Sequence, residues 1–543
     1  MTLINKNLAI VGGGPAALYL LKAVVEKNVK NINISIFEAS NTFGTGMPYS
    51  NYWNCLEHEL NIASKELPEL KIEPHIWLRN QDVAIKKSYG IKDSEINEDI
   101  VLPRILFGKY LEEQFNYYLS RLMDSGIKVK LYPNERIEKI SKRYNFTLKS
   151  ARNSYFFDTV VIATGHVWPE KNLDKDYYYV SPYPLSKLHS IKDKNIGIIG
   201  SSLTAIDAIR SLARANGEFI EQNNGVIYRT TNSSSNFRIT MHSRKGLLPN
   251  IRYHLEHPRI RKYEYISELE IRENIASNNG LLSLDYIFNK SYLDTIKVKD
   301  YNTYKEIKDL GIEGFYKYYF EREGIKNFNQ YELKLSEMKR TEKDRSPIYW
   351  KEALEDTIYT LNFHAKNLSA EDTIGLRKYI MPVYNHLVMF VPYRSVDELI
   401  ALHKANVLDN IELGFDSEIR DGQIHTQNKI LQYDLLINCI GQKNLNIEDF
   451  PFKDLVRENY VTQASIKITN SISEALTQGC SIYENQLYLP GVAIDDSFQS
   501  LSDKMEPTGL YILSIPLIRG FNPDLSGLPL LNDAAELVID NIQ

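Results

Sequence analysis

The chain contains little cysteine for its length. Only three cysteines occur among its 543 residues, Cys55, Cys439 and Cys480, and no CxxC pair is present. This spacing disfavours a disulfide framework, a zinc site and a dithiol redox centre, so we expect no metal. A reducing, cytoplasmic compartment is the expected location.

Long apolar runs and a strong excess of one charge are also missing. No stretch reaches the roughly 18–20 apolar residues that a membrane span requires, and the apolar N-terminus lacks a signal-peptide cleavage site. The net charge of −5, with 24% charged residues, indicates no nucleic-acid partner. The length predicts two or three domains, and the composition specifies no oligomeric state.

A glycine-rich turn opens the chain. Residues 8–17 read LAIVGGGPAA, and the pattern predicts a strand at 8–11, a helix at 18–25 and a second strand at 33–37. Two glycines allow a tight turn near a pyrophosphate, and an acid ending the second strand can accept hydrogen bonds from ribose hydroxyls. FAD or NAD is therefore predicted, and the alternative is a chance glycine turn. The predicted binding residues are Gly12, Gly14, Pro15, Ala16, Ala17 and Glu38.

A second strand, turn and helix pattern follows at residues 194–210, KNIGIIGSSLTAIDAIR. The next strand, FRITMHSRKG, ends on Ser243, Arg244 and Lys245 and carries no acid. Because a guanidinium can bind a 2′-phosphate, Arg244 predicts NADPH. The alternative is that these cations are solvated surface charges. The predicted binding residues of the second turn are Gly200, Ser201, Ser202 and Thr204.

Two later strands run into glycine. DTVVIATGHVWP, residues 158–169, reaches Thr164 and Gly165, and YDLLINCIGQ, residues 433–442, reaches Gly441. Each glycine turn is thus followed later in the chain by one strand that ends beside a glycine. This order resembles that of the flavoproteins with two dinucleotide-binding domains, in which the NAD(P)H domain is inserted into the FAD domain. The resemblance implies an α/β fold with two Rossmann-like domains, one for FAD and one for NADPH, and it marks these three residues as cofactor-binding.

Four further segments narrow the resemblance: FGTGMPYS (43–50), ELNIAS (59–64), IWL (76–78) and LPRILFGKYL (102–111). They are similar to bacterial FAD/NAD(P)-binding proteins that include relatives of a urate hydroxylase, and their order resembles flavin-containing and N-hydroxylating monooxygenases. Gly46 is expected to let the backbone pass the flavin, and Gly491 in NQLYLPGVAI to lie in the terminal flavin segment. Arg104 is expected to face the cofactor phosphates or to pin its segment to the sheet.

The domain boundaries follow from these motifs. Residues 1–190 and 433–543 are expected to form the FAD-binding domain, and residues 191–254 and the return strands of 381–432 the NADPH-binding domain. Residues 255–380 have helical periodicity and few strand signals, which predicts a mostly helical insertion. The insertion would cap the active site, or alternatively form a partner-binding surface.

The expected function is that of an NADPH-reduced FAD monooxygenase. It would hydroxylate a small substrate, a nitrogen-containing one among the candidates, with oxygen through a flavin hydroperoxide. The alternatives are a reductase that passes electrons to another acceptor and a flavin-binding sensor or scaffold. The pattern identifies no catalytic residue, although His166, His386 and Arg394 are polar candidates for the cleft.

Overall fold

The computed structural model describes residues 5–166, 173–222, 225–256, 266–468, 480–523 and 527–543. Within these ranges the chain forms two domains built on parallel sheets and a helical insertion, which confirms the expected α/β fold. The end of the ATGHVWP segment and residues 257–265 of the insertion lie outside the described residues. None of the helices in the described ranges is both long and apolar enough to cross a membrane.

The first domain contains a six-stranded sheet of order β21-β22-β7-β1-β2-β3, in which only β21 runs antiparallel to its neighbour. Helices cover the sheet, so its central strands are apolar on both faces. The sheet strands are β1 (Lys6–Val11), β2 (Ile32–Phe37), β3 (Lys128–Tyr132), β7 (Thr159–Ile162), β21 (Gln499–Leu501) and β22 (Pro507–Ile512). The helices are α1 (Pro15–Glu26), α2 (Pro74–Arg79), α3 (Val83–Ser88), α4 (Arg104–Asp124), α16 (Lys453–Arg457), α17 (Ile515–Ile518) and α18 (Leu528–Ile542).

The second domain contains a five-stranded parallel sheet of order β13-β12-β9-β17-β8. Its strands are β8 (Tyr178–Tyr179), β9 (Asn195–Ile199), β12 (Arg238–Ser243), β13 (Leu408–Glu412) and β17 (Leu435–Asn438), and its main helices are α5 (Leu203–Asn216) and α15 (Tyr393–Lys404). The expected boundaries at 190 and 433 are corrected here. β8 and β17 were assigned to the FAD-binding domain, but both belong to the second sheet because β17 pairs with β9 and with β8.

Short antiparallel sheets are attached to both domains. The strands on either side of Asp421 form a three-stranded antiparallel sheet with the strand that follows them. These strands are β4 (Ile137–Lys142), β5 (Phe146–Ser150), β6 (Ser154–Phe157), β10 (Gly217–Gln222), β11 (Gly225–Thr230), β14 (Glu418–Arg420), β15 (Gln423–His425), β16 (Ile430–Gln432), β18 (Gln463–Lys467), β19 (Ser481–Tyr483) and β20 (Gln486–Val492).

The insertion is helical, as its periodicity predicts. Its helices are α6 (Glu268–Ser277), α7 (Leu284–Ile287), α8 (Asp294–Lys299), α9 (Tyr301–Ile307), α10 (Gly311–Glu323), α11 (Phe328–Lys343), α12 (Tyr349–His364), α13 (Ala370–Gly375) and α14 (Met381–Val388). Return strands were expected from residue 381, but α14 and α15 occupy most of 381–404, and β13 is the first strand after them. Val396, Leu399 and Ile400 of α15 are buried at helical spacing, which explains why this segment is not a strand.

Buried ion pairs join the two domains. Arg210 of α5 is 1% exposed, and it donates from Nε to Glu398 Oε2 at 2.7 Å and from Nη1 to Glu59 Oε2 at 3.1 Å. Arg104, at the start of α4, donates from Nη1 to Asp207 Oδ2 at 2.6 Å. These contacts connect the first domain to α5 and α15 of the second domain, so they help to set the relative position of the two nucleotide-binding turns.

Candidate functional site

A cavity of about 660 Å³ lies in the first domain. This volume falls within the usual range for small-molecule and cofactor sites. It opens at the carboxyl ends of β1, β2 and β7, the edge at which parallel α/β sheets bind nucleotides. Eight of the predicted cofactor-binding residues line it, namely Gly12, Gly14, Pro15, Ala16, Glu38, Gly46, Thr164 and Gly165.

The glycines of the first turn have different structural roles. Gly12 has φ of +114°, and a Cβ there would lie 2.1 Å from the carbonyl oxygen of Ala163 at the end of β7. Gly14 has φ of −81° and precedes α1, and its Cβ would lie 3.2 Å from Gly46 Cα. Ala17 is fully buried within α1 and does not line the cavity. Small residues therefore allow β7 and the 43–50 loop to approach the turn closely.

The Glu38 carboxylate is held at the end of β2. Its Oε2 accepts the backbone N–H of Gly13 and its Oε1 accepts that of Ser40, each at 2.8 Å. Each carboxylate oxygen has further acceptor capacity, and the residue lines the cavity. The geometry suits the two ribose hydroxyls of FAD or NAD and disfavours a 2′-phosphate at this position.

The loop of residues 45–53 forms another wall of the cavity. Gly46 has φ of +64°, which lets the loop turn beside α1. A Cβ on Gly108 of α4 would lie 2.3 Å from the carbonyl oxygen of Tyr49, so the loop rests directly on that helix. The Tyr49 ring packs on Phe107 at 5.1 Å, and burial raises the pKa of Tyr49 to about 12, so the phenol stays protonated.

The cavity wall at the end of β7 carries polar groups. Ser514 donates from Oγ to the carbonyl of Gly165 at 2.9 Å, and Thr164 Oγ1 lies 3.5 Å from Ser514 Oγ. His166 follows on the cavity wall. Burial, with the positive charge of Arg519, lowers the pKa of His166 to about 4, so its imidazole is neutral at physiological pH.

The second turn repeats the geometry of the first. Gly200 has φ of +118°, and a Cβ there would lie 2.6 Å from the carbonyl oxygen of Cys439, which follows β17. Ser202 is the N-cap of α5 without a side-chain cap, and Ser201 and Thr204 are half-buried beside it. The turn therefore places the start of a helix, with unsatisfied N–H groups, at the carboxyl edge of the sheet.

The two cations after β12 have different environments. Arg244 is exposed, lies 5.8 Å from the Phe415 ring, and forms no ion pair with any described residue. Lys245 instead donates from Nζ to the Tyr316 hydroxyl of α10 at 2.6 Å and lies 3.6 Å from the Phe320 ring centroid. Arg244 is therefore accessible at the end of β12, whereas Lys245 anchors the insertion to this edge.

Three other predicted residues lie elsewhere or in more open surroundings. Arg104 pairs with Asp207 and does not line the cavity. Gly491 packs against α17, where its Cβ would lie 2.3 Å from the carbonyl oxygen of Leu517. Gly441 has φ of +95° and faces open space after β17. The roles of all three in cofactor binding stay predictions.

Several cavity residues were missed by the sequence reasoning. They include Lys109, Glu112, Arg136 and, at the start of α18, Gly527 and Leu528. The segment LLNDAAELVIDNI, residues 530–542, has the apolar spacing of a helix, but only the tertiary contact between α18 and α1 brings the start of that helix to the cavity. The other polar candidates are not at the cavity, since His386 bonds the Tyr319 hydroxyl in the insertion and Arg394 lies beside Glu398.

Comparison with known proteins identifies two parts of the chain. Residues 9–167 match the FAD-NAD(P)-binding family, and residues 267–387 match the YdhS-like middle domain. The uncharacterized protein YdhS of Escherichia coli (strain K12) is 29% identical over 469 residues, which cover 83% of this chain and 86% of that protein.

Solved structures with similarity to the chain include an ornithine N-hydroxylase from Kutzneria sp. 744, with a TM-score of 0.44, 11% identity and coverage of 99% of each chain. A lysine monooxygenase from Nocardia farcinica has a TM-score of 0.42 and 11% identity, over 98% of this chain and 99% of that one. The family match coincides with the cavity and the first turn. The chain therefore resembles FAD-NAD(P)-binding proteins over residues 9–167 and the YdhS-like middle domain over residues 267–387.

Proposed function

We propose that the protein is an FAD-dependent monooxygenase that is reduced by NADPH and hydroxylates a small, nitrogen-bearing substrate. The observation that carries the proposal is the pair of matching turns at Gly12 and Gly200. In each turn the glycine lies against the backbone at the end of a later strand, β7 for Gly12 and β17 for Gly200. Their surroundings differ in charge, since Glu38 accompanies the first turn and Arg244 the second. One chain therefore offers separate sites for FAD and for a 2′-phosphorylated dinucleotide.

The residues that line the cavity of the first domain fit FAD. The first turn of α1 presents N–H groups to a pyrophosphate, and Glu38 presents acceptors to the ribose. When bound, FAD supplies two-electron chemistry and the activation of oxygen. The chain binds and orients the cofactor, and the loop of residues 45–53 limits the access of water to it.

The insertion is proposed to shape the substrate site. Lys245 holds α10 beside the end of β12, so the insertion lies at the same sheet edge as Arg244. Most of the buried apolar side chains of the insertion also form one core with the second domain, whereas Ala370 and Ile374 of α13 pack in the core of the first domain. Deletion of the insertion would therefore expose that core, and a point substitution at the contact is the better test.

Oxygen use distinguishes the candidate functions. The FAD-loaded protein is reduced with NADPH and mixed with oxygen in a stopped-flow instrument, with a panel of small amines and heterocycles present or absent. A monooxygenase gives a transient absorbance band distinct from oxidised and reduced FAD, and one equivalent of hydroxylated product per NADPH. Oxidation without that band, and without any dependence on the panel, would favour the reductase, and a sensor would consume neither NADPH nor oxygen.

The contact at Lys245 tests the role of the insertion. Lys245→Ala is expected to retain FAD while diverting more of the consumed NADPH to hydrogen peroxide, because the insertion is loosened at the active edge. Lys317→Ala is the matched control, since Lys317 lies on α10 itself but forms an exposed pair with Glu313. Equal coupling in both variants would contradict the proposed role.

A thiol-dependent reductase has less support. Cys55, Cys439 and Cys480 are not joined in disulfides. Burial raises the pKa of Cys439 well above its usual range, so this thiol is a poor nucleophile at neutral pH. A reductase of this fold would therefore pass electrons from FAD to an external acceptor without a dithiol in the chain.

A further inference from the structure

Three residues that could bind a metal lie close together at the interface between the two domains, the seam. Cys55 and Glu57 follow the 45–53 loop of the first domain, and His189 lies between β8 and β9 of the second domain. One ligand atom from each residue lies within 4.8 Å of the others. Cys55 Sγ is 3.6 Å from His189 Nε2.

The Glu57 side chain is 9% exposed. Its Oε1 accepts a hydrogen bond from Ser211 Oγ at 2.8 Å, and the only basic side chain of the described residues within 4.0 Å is His58, with Nε2 at 3.7 Å. His58 accepts the backbone N–H of Cys55 at Nδ1, at 3.0 Å. That nitrogen therefore carries no proton, and the imidazole is neutral. Glu57 is thus a largely buried carboxylate without a cationic partner among the described residues.

A chain of two hydrogen bonds, from His58 to Ser211 and from Ser211 to Glu57, orients the Glu57 carboxylate. With Nδ1 acting as acceptor, His58 donates from Nε2 to Ser211 Oγ at 3.0 Å, and Ser211 donates in turn to Glu57. Hydrogen bonds of this kind hold the ligating carboxylates of metal sites in place. The second carboxylate oxygen of Glu57 has no described hydrogen-bond donor and is available as a ligand.

Buried carboxylates in proteins are paired with a cation or coordinate a metal. Thiolate, imidazole and carboxylate are the three protein ligand types of zinc. In a tetrahedral zinc site, the usual bond lengths separate a sulfur and a nitrogen ligand by about 3.6 Å, the distance between Cys55 Sγ and His189 Nε2. We propose that Cys55, Glu57 and His189 bind a divalent ion of the zinc type at this seam.

Binding releases the Cys55 thiol proton to solvent, because the thiolate is the ligand. Three protein ligands leave the fourth position to water. The ion would tie the loop that contains Tyr52 and Trp53, which line the FAD cavity, to the start of the second domain. This inference does not depend on the proposed reaction.

The test uses the full-length, FAD-loaded protein after removal of metals by a chelator. Titration with Zn²⁺ by calorimetry is expected to show one equivalent bound, and Co²⁺ is expected to give the near-ultraviolet absorption band of a cobalt–thiolate bond. Cys55→Ser should abolish that band, and both Cys55→Ser and His189→Ala should weaken Zn²⁺ binding more than tenfold. The matched controls, Cys480→Ser and His425→Ala, should leave binding unchanged.

Glu57→Gln separates a metal site from an ordinary hydrogen-bond network. This variant should bind Zn²⁺ more than tenfold more weakly, yet its metal-free form should melt at a higher temperature than metal-free wild type because the uncompensated charge is gone. A lower melting temperature in the metal-free state would overturn the account of Glu57. Absence of stoichiometric binding to the wild type, or a cobalt band that persists in Cys55→Ser, would overturn the site itself.

Discussion

At the scale of single residues, Gly12 and Gly14 show that neighbouring glycines can be required for different reasons. Gly12 has a left-handed backbone and no room for a Cβ below Ala163, so any substitution there strains the fold. Gly14 has a backbone that any residue adopts, and what it provides is space beside Gly46. A substitution at Gly14 therefore tests cofactor binding with less damage to the fold.

Gly14→Val is expected to leave the protein folded but without FAD, because the added side chain occupies the space at the start of α1. The measurement is the ratio of FAD absorbance to protein absorbance after purification, with circular dichroism to verify folding. Gly375→Ala is the control, since Gly375 has a helical backbone and its added Cβ would meet only the end of the Leu284 side chain, at 3.7 Å. A folded Gly14→Val protein with a full complement of FAD would show that the cofactor does not approach this turn.

Arg244→Ala tests the nucleotide preference of the second turn. The KM for NADPH should rise far more than that for NADH, by an amount equivalent to one charge-assisted hydrogen bond, about 1.5–3 kcal/mol. Arg238→Ala, an exposed residue at the start of the same strand, should change neither value. Equal losses with NADPH and NADH would mean that Arg244 does not contact the 2′-phosphate.

At the scale of elements, α5 combines two tasks. Its first turn faces the second nucleotide site, while Asp207 and Arg210 form ion pairs with residues of the first domain. Arg214 pairs with Glu398 of α15 in the second domain. Charges at this spacing on a helix usually indicate a face in water. Here the face is covered by the first domain and α15, so the polar side chains are satisfied by partners distant in sequence.

Glu398→Gln tests how much the buried ion pairs of α5 contribute to the unfolding free energy. Burial alone would raise the pKa of Glu398, but the Arg210 and Arg214 guanidiniums lower it to about 2, so the group is ionised at neutral pH. Removing its charge leaves Arg210 buried with Glu59 as its one remaining ion-pair partner among the described residues. The expected loss is about 3–5 kcal/mol of unfolding free energy. Urea denaturation of the whole protein measures it.

The control for this variant is Glu332→Gln. Glu332 pairs with Lys404 at 2.6 Å, and both side chains are about half exposed. Such surface pairs contribute roughly 0–1 kcal/mol. Similar losses of unfolding free energy in the two variants would show that burial does not strengthen the ion pairs of Glu398.

At the scale of the whole molecule, most of the insertion shares one hydrophobic core with the second domain, while the first domain has its own core, which α13 of the insertion joins. Three histidines, His166, His242 and His386, are distributed over these parts, and burial lowers the pKa of each to about 4. The fold therefore holds neutral histidines in several places at once.

The histidines predict a loss of stability in mild acid. Their unfolded pKa is near 6.5, so between pH 6.5 and 4 the unfolded chain binds more protons than the folded one, and stability falls as the pH decreases. The effect is at most about 1.4 kcal/mol per pKa unit for each histidine. Glu323 and Glu398, whose pKa values are lowered to about 2, add losses only near and below their unfolded value of 4.5.

Thermal melting of the apoprotein at intervals from pH 7.5 to 5 measures this dependence. His386→Asn should have a flatter profile than wild type between pH 6.5 and 5, whereas His425→Asn, on the surface hairpin of β15, should retain the wild-type slope. A melting temperature that is constant over this window would contradict the assignment of neutral, buried histidines.

Local patterns were enough to predict the nucleotide-binding turns. The strand, glycine turn and helix of residues 8–25 are observed as β1, the turn and α1, and Glu38 follows β2. Each of these features depends on contacts between residues near one another in sequence, on backbone angles and on apolar periodicity. The same reasoning holds for the Gly200 turn, for the α/β class and for the helical character of the insertion.

What only the tertiary structure decided were the pairings between distant residues. It places β17 beside β9, Arg104 against Asp207 and the start of α18 at the FAD cavity. It also brings Cys55 within 3.6 Å of His189, although 134 residues separate them and no spacing motif connects them. A sequence records which residues can pair or ligate, but their partners are chosen when the sheets and helices pack, because that packing sets which distant side chains lose water together.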